Sequence, residues 1–261
     1  MLEKVSLAII IPSYQDPRII RAIRSVRMFD DCGIVKLVIA DGGSSATLIA
    51  DIFSELGCQD VLVSEPDHGI FDGFNKGLEI AGRCDFIGWI GSDDFFTGQL
   101  KSSEVINYLQ DSDLFVADVL HVSDRFVRRR TPGMLSALGL WRFGLHNPHM
   151  GTFGKADLLR SVRFNDSAPA SDIDYFINIF KRARKVTYSG TPVVCQTLGG
   201  FSNGSFKKVL RGNLDSFRIY REHFGVVRAV VAVVGKLALK ACSSIPYLVR
   251  RVPAPFYERR D

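Results

Sequence analysis

EPDHGIFDGFNKGLEIAGRCDFIGWIGSDD, residues 65–94, reads in order as loop, helix, buried strand and a pair of carboxylates. Ile70, Phe71, Phe74, Leu78 and Ala81 recur at helical spacing, so one face of that helix packs inward. Phe86, Ile87, Trp89 and Ile90 follow as a short apolar run, as in a central strand buried on both faces. The run stops at Gly91-Ser92-Asp93-Asp94. Open α/β sheets bind ligands beyond the C-terminal ends of their strands, which is where this pair falls. Two adjacent like charges are costly unless something positive holds them. A divalent cation with oxygen ligands meets that need and could also carry the phosphates of a nucleotide. On local grounds a plainer reading stands beside it: Asp93 and Asp94 cap the next helix.

Working outward, residues 7–11 form an apolar, β-branched run closed by Pro12, which cannot donate to a sheet ladder. After Ser13 and Tyr14, Asp16 and Pro17 suit a helix start. Ile19, Ile20, Ile23 and Val26 form the inward stripe of that helix, with Arg18, Arg21, Arg24 and Arg27 on its other faces. Residues 37–40 make a second strand closed by Asp41-Gly42-Gly43-Ser44, residues 48–56 a second helix, and residues 61–63 a third strand. Strand and helix alternate, which predicts parallel strands, right-handed crossovers and helices on both faces. The strand ends then gather at one sheet edge, where a ligand crevice is expected. No G-x-G-x-x-G follows the first strand and no Walker-type loop occurs, which disfavours those nucleotide folds.

Past a helix at 103–109 and a strand at 114–118 the alternation weakens. Residues 121–131 read as an edge strand or hairpin, and the apolar segment 134–143 as a lid or acceptor-facing loop. His146 and His149 lack a third nearby ligand, so a structural or hydrogen-bonding role is the simpler one. A short helix is expected at 155–162. Asp172 and Asp174 open another helix, whose buried stripe is Ile173, Phe176, Ile177 and Phe180. The two carboxylates lie about 200° apart at ~100° per residue, so only one faces a given site. A strand at 193–195, a Gly-rich loop at 199–204 and a polar helix at 207–224 complete the body.

The tail from Val226 carries seven Lys/Arg against two Asp/Glu among valine, alanine and leucine. Its longest uncharged apolar run falls short of the ~20 residues that span a bilayer. A basic amphipathic helix on an anionic membrane is one reading, and a helix packed on the body or on a second subunit is the other.

The 261 residues suffice for one α/β domain with an extension, and 46% hydrophobic content excludes a disordered chain. The net charge of +5 admits phosphates, anionic lipid or nucleic acid as partners. Nucleic acid is disfavoured, because the arginines are not interleaved with aromatics in one stripe. Five scattered cysteines without a C-x-x-C pair suggest neither a disulfide framework nor a zinc site and fit a reducing cytoplasm. The N-terminus lacks the pattern of a signal peptide, so a cytoplasmic protein is expected.

Taken together, these segments resemble the inverting family 2 glycosyltransferases with a GT-A fold. The matching pieces are IIIPSY (9–14), VIADGGS (38–44), EPDHGIFDGFNKG (65–77), WIGSDD (89–94), NPHMGTF (147–153), ASDIDYF (170–176) and LGGFS (198–202). The match runs from the first strand to about Phe224 and is similar to members that build bacterial surface polysaccharides. The resemblance implies a Rossmann-like, mostly parallel sheet. A nucleotide-sugar-binding half (1–120) and an acceptor-binding half (121–225) would be followed by the amphipathic extension (226–261). It implies a nucleotide-sugar donor, usually a UDP-sugar, a saccharide or polyprenyl-linked acceptor, and Mn²⁺ or Mg²⁺. Pro12, Ser13, Tyr14 and Asp41 would hold base and ribose. Asp67, Gly69, Asp72 and Lys76 would frame the donor. Ser92 and Asp93 would meet the nucleotide, and Asp93 and Asp94 the metal. His149 would lie near phosphates or acceptor, and Asp172 matches the general base better than Asp174. Two departures stand out: Gly42 where a second acidic residue is usual, and Met150 where many relatives have glutamine.

The chemistry follows from the residue types. Displacing a nucleoside diphosphate builds charge on the leaving phosphates, which a cation at Asp93 and Asp94 would offset. A carboxylate such as Asp172, opposite the leaving group, would take the acceptor proton, and one in-line attack would invert the anomeric centre. A sugar nucleotidyltransferase also uses a parallel sheet and a metal, but a Gly-rich basic loop is expected after its first strand, not Pro12-Ser13-Tyr14. A non-catalytic membrane-associated scaffold is the remaining alternative; intact Asp93, Asp94 and Asp172 argue against it. Homo-oligomerisation is open.

Overall fold

The computed structural model describes residues 5–123, 127–132, 149–197 and 206–243. The first half is built as the periodicities predict. Strand β1 (Leu7–Ser13) is wholly buried and lies between β2 (Val35–Asp41) and β4 (Phe86–Trp89), with β3 (Val61–Ser64) outside β2. All these pairings are parallel. Burying an isoleucine of β1 contributes about 2 kcal/mol, and Ile9, Ile10 and Ile11 have no exposed surface.

Helices α1 (Ile19–Phe29), α2 (Ala46–Ser54) and α3 (Ile70–Ile80) are the crossovers. Helix α3 lies unusually close to β1, because a Cβ at Gly77 would run into Ile10 Cγ2. The sequence therefore needs a glycine there to seat α3 on the sheet.

Beyond β4 the sheet becomes mixed. A further short strand, β5 (Phe95–Phe96), and helix α4 (Ser102–Gln110) precede β6 (Leu114–Val122) and β7 (Val127–Arg130). After the 3₁₀ turn His149–Gly151 come β8 (Thr152–Lys155), α5 (Ala156–Arg160), α6 (Ser171–Arg182) and β9 (Val186–Thr197). The order across the sheet is β3-β2-β1-β4-β8-β6-β9-β5, with β7 on β6. Strand β8 is antiparallel to both β4 and β6, so β6 runs the same way as β4; β9 is parallel to β6. The C-terminal ends of β1, β2, β3, β4, β6 and β9 thus share one rim. Strand β9 covers one edge of β6 throughout, so β7 (opposite residues 119–122) continues the edge that β8 takes at residues 114–116.

Several boundaries differ from the sequence expectation. Strand β9 is much longer than residues 193–195, because the apparent breakers Gly190 and Pro192 fall at a register irregularity opposite Ala117 and Asp118. The helix expected at 155–162 shrinks to α5, with Lys155 ending β8. One apolar cluster runs from Leu7 to Val194, and β6 crosses the expected division at 120/121, so the two halves share a core. The expected lid at 134–143 and the loop at 199–204 lie outside the described residues.

Helices α7 (Phe206–Phe224) and α8 (Val226–Ser243) close the chain. Ala229 and Ala232 of α8 are buried against Ile173 and Ile177 of α6 and Ile219 and Tyr220 of α7. Of the two readings of the tail, the described part of α8 shows packing on the body. The small alanines pack, while Val226, Val227, Val230, Val231, Val234 and Leu237 face outward.

Candidate active site

Register brings the predicted residues together. Ser13 pairs with Asp41 across β1 and β2, and Asp41 with Ser64 across β2 and β3. Ile10 pairs with Trp89, so the loop carrying Asp93 leaves the sheet beside Pro12-Ser13-Tyr14. Tyr14 is 61% exposed and offers its ring to the rim. Ser13 Oγ is buried without a hydrogen-bond partner among the described residues.

Asp41, expected to hold base or ribose, is committed to its own loop. Its Oδ2 accepts from Gly43 N (3.0 Å), Ser44 N (2.7 Å) and Ser64 Oγ (2.7 Å), and its Oδ1 from Ser44 Oγ (2.5 Å). It is 2% exposed, and these bonds shape the turn. Gly42 faces Asp67 instead: a Cβ there would lie 2.7 Å from Asp67 Oδ2. Asp67 Oδ1 accepts from Gly69 N (2.9 Å), and Gly69, at φ 118°, turns the chain into α3. Asp72 accepts from His68 N (3.1 Å), and Lys76 donates to Pro66 O (2.8 Å). Those side chains fix the loop over α3 and frame the crevice from outside.

The two carboxylates differ sharply. Asp94 is buried, and accepts from Gly91 N (3.1 Å) and Thr197 N (2.9 Å). Burial, with the adjacent Asp93 charge, pushes its carboxyl up to about 7. Asp93 keeps a partly open side chain, 3.6 Å from Arg18 Nη1, while its carbonyl accepts from Arg21 Nη2 (2.7 Å) and Thr197 Oγ1 (2.7 Å). Ser92 Oγ donates to Asp16 (3.2 Å), which also holds Arg18. Both carboxylates approach the same point, 3.0 Å from a Cβ built on Gly91. An open carboxylate beside a buried one suits a hard dication that takes its other ligands from water and phosphate. No group of three metal-binding side chains occurs among the described residues.

Aromatic packing sets the opposite wall. Trp89 Nε1 donates to His149 O (2.9 Å), and the His149 ring lies against Phe74 and Phe176 (5.8 Å to each ring). Asp172 precedes Phe176 by one helical turn and so shares its side of α6, where its charge also reaches Tyr220 of α7. Asp174 points the other way. Its Oδ1 meets His223 Nε2 at 2.6 Å, and His223 Nδ1 meets Lys181 at 2.7 Å. It ties α6 to α7.

Sequence reasoning missed Thr197 and Ser64. Both lie at strand ends, and a lone hydroxyl there carries no periodic signal. Arg18, on an outer face of its helix, turns toward Asp93.

Residues 8–210 match the family model described as glycosyl transferase family 2. Among curated proteins, the PGL/p-HBAD biosynthesis glycosyltransferases of Mycobacterium bovis and Mycobacterium tuberculosis are 30% identical over 125 residues, which is 46% of this chain and 48% of theirs. The chain spans about half the length of these relatives. Among solved structures, S. aureus TarS 1–349 in complex with UDP-GlcNAc superposes with a TM-score of 0.64 at 13% identity, covering 82% of this chain and 65% of that one. The mannosyltransferase PcManGT from Pyrobaculum calidifontis, in complex with GDP-Man and Mn²⁺, gives 0.60 at 13% identity, covering 94% and 81%. At such identities the likeness is one of fold.

Proposed function

The chain belongs to glycosyl transferase family 2, and we propose that it moves a sugar from a nucleoside diphosphate sugar to an acceptor hydroxyl with inversion. The observation that carries this reading is the rim itself. Strand order sets β4, which leads to Asp93, between β1, which ends at Ser13, and β8, which follows His149; the His149 ring lies against Phe176 of α6. A UDP-sugar, as bound by one structural neighbour, would set its base over Tyr14 and its diphosphate at Asp93.

Asp93 and Asp94 would hold Mn²⁺ or Mg²⁺, which would supply charge stabilisation at the departing diphosphate. Arg18 adds a fixed positive charge beside Asp93. Asp172 removes the acceptor proton and is free to do so, since Asp174 is held by His223. Asp94 fastens the acidic loop to β9 through Thr197. The acceptor is a saccharide or a lipid-linked saccharide; the mycobacterial relatives are named for PGL/p-HBAD biosynthesis. No helix among the described residues is long and apolar enough to cross a membrane; contact with the inner face of an anionic membrane would come through α8. The deciding experiment is a screen of sugar nucleotides for Mn²⁺-dependent thermal stabilisation. A UDP-sugar should raise the unfolding temperature in wild type and not in Asp93→Ala, and stabilisation by nucleoside triphosphates with pyrophosphate release would point to a nucleotidyltransferase instead.

A further inference from the structure

Helix α7 runs alongside the start of α6 and is pinned to it on both sides of Tyr220. Asp215 Oδ2 accepts from Ala170 N (2.9 Å), just ahead of α6, and His223 Nε2 meets Asp174 Oδ1 at 2.6 Å. Tyr220 falls between these ties and is 2% exposed. It shares a buried cluster with Ala170, Ile173 and Ile177 below it and with Ala229 and Ala232 of α8 above. A buried tyrosine ordinarily finds a partner for its hydroxyl. Tyr220 Oη is buried and meets none among the described residues. Phenylalanine would fill the same space without leaving a hydroxyl unpaired.

The surroundings of the hydroxyl narrow its partner. Three carboxylates lie on the facing parts of α6 and α7: Asp172, Asp174 and Asp215. Asp174 is taken by His223, whose Nδ1 meets Lys181 at 2.7 Å, and Asp215 by Ala170 N. Helix α8 brings only alanines to the cluster. Burial first, and then the charge of Asp172, raise the Tyr220 pKa, so Asp172 is the carboxylate whose field reaches the phenol. On the wheel of α6, Ile173 lies about 100° on from Asp172. A ring packed over Ile173 therefore carries its hydroxyl toward the Asp172 side. Asp172 itself is half-buried in the first turn of α6, where its carboxylate turns about χ1 without disturbing the helix.

We propose that Tyr220 is a positioning residue for Asp172: its hydroxyl donates to one carboxylate oxygen and leaves the other for the acceptor proton. The role of Asp172 as base rests on the glycosyltransferase reading; the contact does not. A donor on one oxygen fixes the rotamer of the carboxylate and favours its charged form. It also makes the tail part of the site, because Ala229 and Ala232 hold Tyr220 against α6. The test is a double-mutant cycle on the full chain with Tyr220→Phe, Asp172→Ala and their combination. In urea, Tyr220→Phe should lower the unfolding midpoint, and lower it less where Asp172 is already alanine. The catalytic readout is Mn²⁺-dependent hydrolysis of the UDP-sugar selected by the thermal screen. Tyr220→Phe should lower kcat roughly tenfold and leave the donor KM within about twofold of wild type. The acid limb of its kcat profile should move to higher pH, because the charged carboxylate has lost a donor. A tyrosine that only fills space would leave that limb in place. An uncoupled urea cycle overturns the contact whichever donor is used, and an unmoved acid limb overturns the positioning role. Coupling in urea beside undiminished hydrolysis in Asp172→Ala would sink Asp172 as the base while leaving the contact standing.

Discussion

The Asp67 carboxylate occupies the space into which a side chain on Gly42 would grow, 2.7 Å from Oδ2 to the built Cβ. The two residues are distant in sequence, yet the second and third strand loops meet through them. Gly42 has an ordinary backbone conformation, so it is space and not φ that demands glycine. The space beside the second loop is thereby filled by a carboxylate from the third. Gly42→Ala should push Asp67 off Gly69 N, costing about 1 kcal/mol of stability and lowering UDP affinity several-fold by calorimetry. In Gly42→Asp the like charges collide, and the loss should be larger. Adding Asp67→Gly to Gly42→Asp should recover affinity; a double variant no better than the single one would refute the exchange.

Asp172 and Asp174 provide a matched pair. Asp172→Asn should keep donor affinity and lose about 10²–10⁴ in transfer rate, as expected for a lost general base. Asp174→Asn weakens the bond to His223, so its expected signature is a lower unfolding temperature with near-normal kcat. Initial rates and thermal melts on both variants separate the roles. The reverse pattern would move the base to Asp174.

Asp93 and Asp94 should also come apart. Asp94 links the acidic loop to β9, and removing a buried, doubly hydrogen-bonded carboxylate leaves Gly91 N and Thr197 N without it. Asp94→Ala should cost about 1–3 kcal/mol as well as cation affinity. Asp93→Ala should leave denaturant stability within about 0.5 kcal/mol of wild type and abolish Mn²⁺-dependent UDP binding. Urea unfolding beside Mn²⁺ titration reads both.

The parallel half of the fold was legible because each strand there is a continuous apolar run and each helix has a full inward stripe. Loop convergence then followed from topology. What could not be read is set by contacts without a period. Strand β5 has two residues, and β9 hides behind Gly190 and Pro192. Nothing local to Asp41 says that its oxygens are filled by Ser44 and Ser64, or that Asp94 turns inward to Thr197. The tail stayed open between membrane and body because valine outranks alanine in hydropathy, whereas close helix packing on α6 uses the smaller Ala229 and Ala232.

Half-buried His121 gives a pH prediction. Burial, then Arg130 and Arg128, depresses its pKa to about 4. A histidine with a folded pKa below its unfolded ~6.5 binds fewer protons folded than unfolded between those values. Its contribution to stability is therefore present above pH 6.5 and lost as pH falls toward 4. The His121→Gln variant should lose less stability than wild type between pH 6.5 and 4 in urea titrations. Equal slopes would mean that His121 is more open than its position implies.

The outward valines of α8 call for a partner, and charge selects which. Residues 207–243 carry eight Lys/Arg against two Asp/Glu, so a second copy of this surface would repel the first. An anionic bilayer would attract it and accept the ridge of Val227, Val230, Val231 and Val234, while Ala229 and Ala232 keep α8 seated on the body. Val230→Asp with Val234→Asp should therefore abolish sedimentation with phosphatidylglycerol vesicles at physiological salt. Because both side chains are exposed, the unfolding temperature should stay within a few degrees of wild type. Neutral phosphatidylcholine vesicles should bind wild type at least tenfold more weakly. A variant that still sediments, or that changes sedimentation-equilibrium mass from dimer to monomer, would give the valine face to another protein surface.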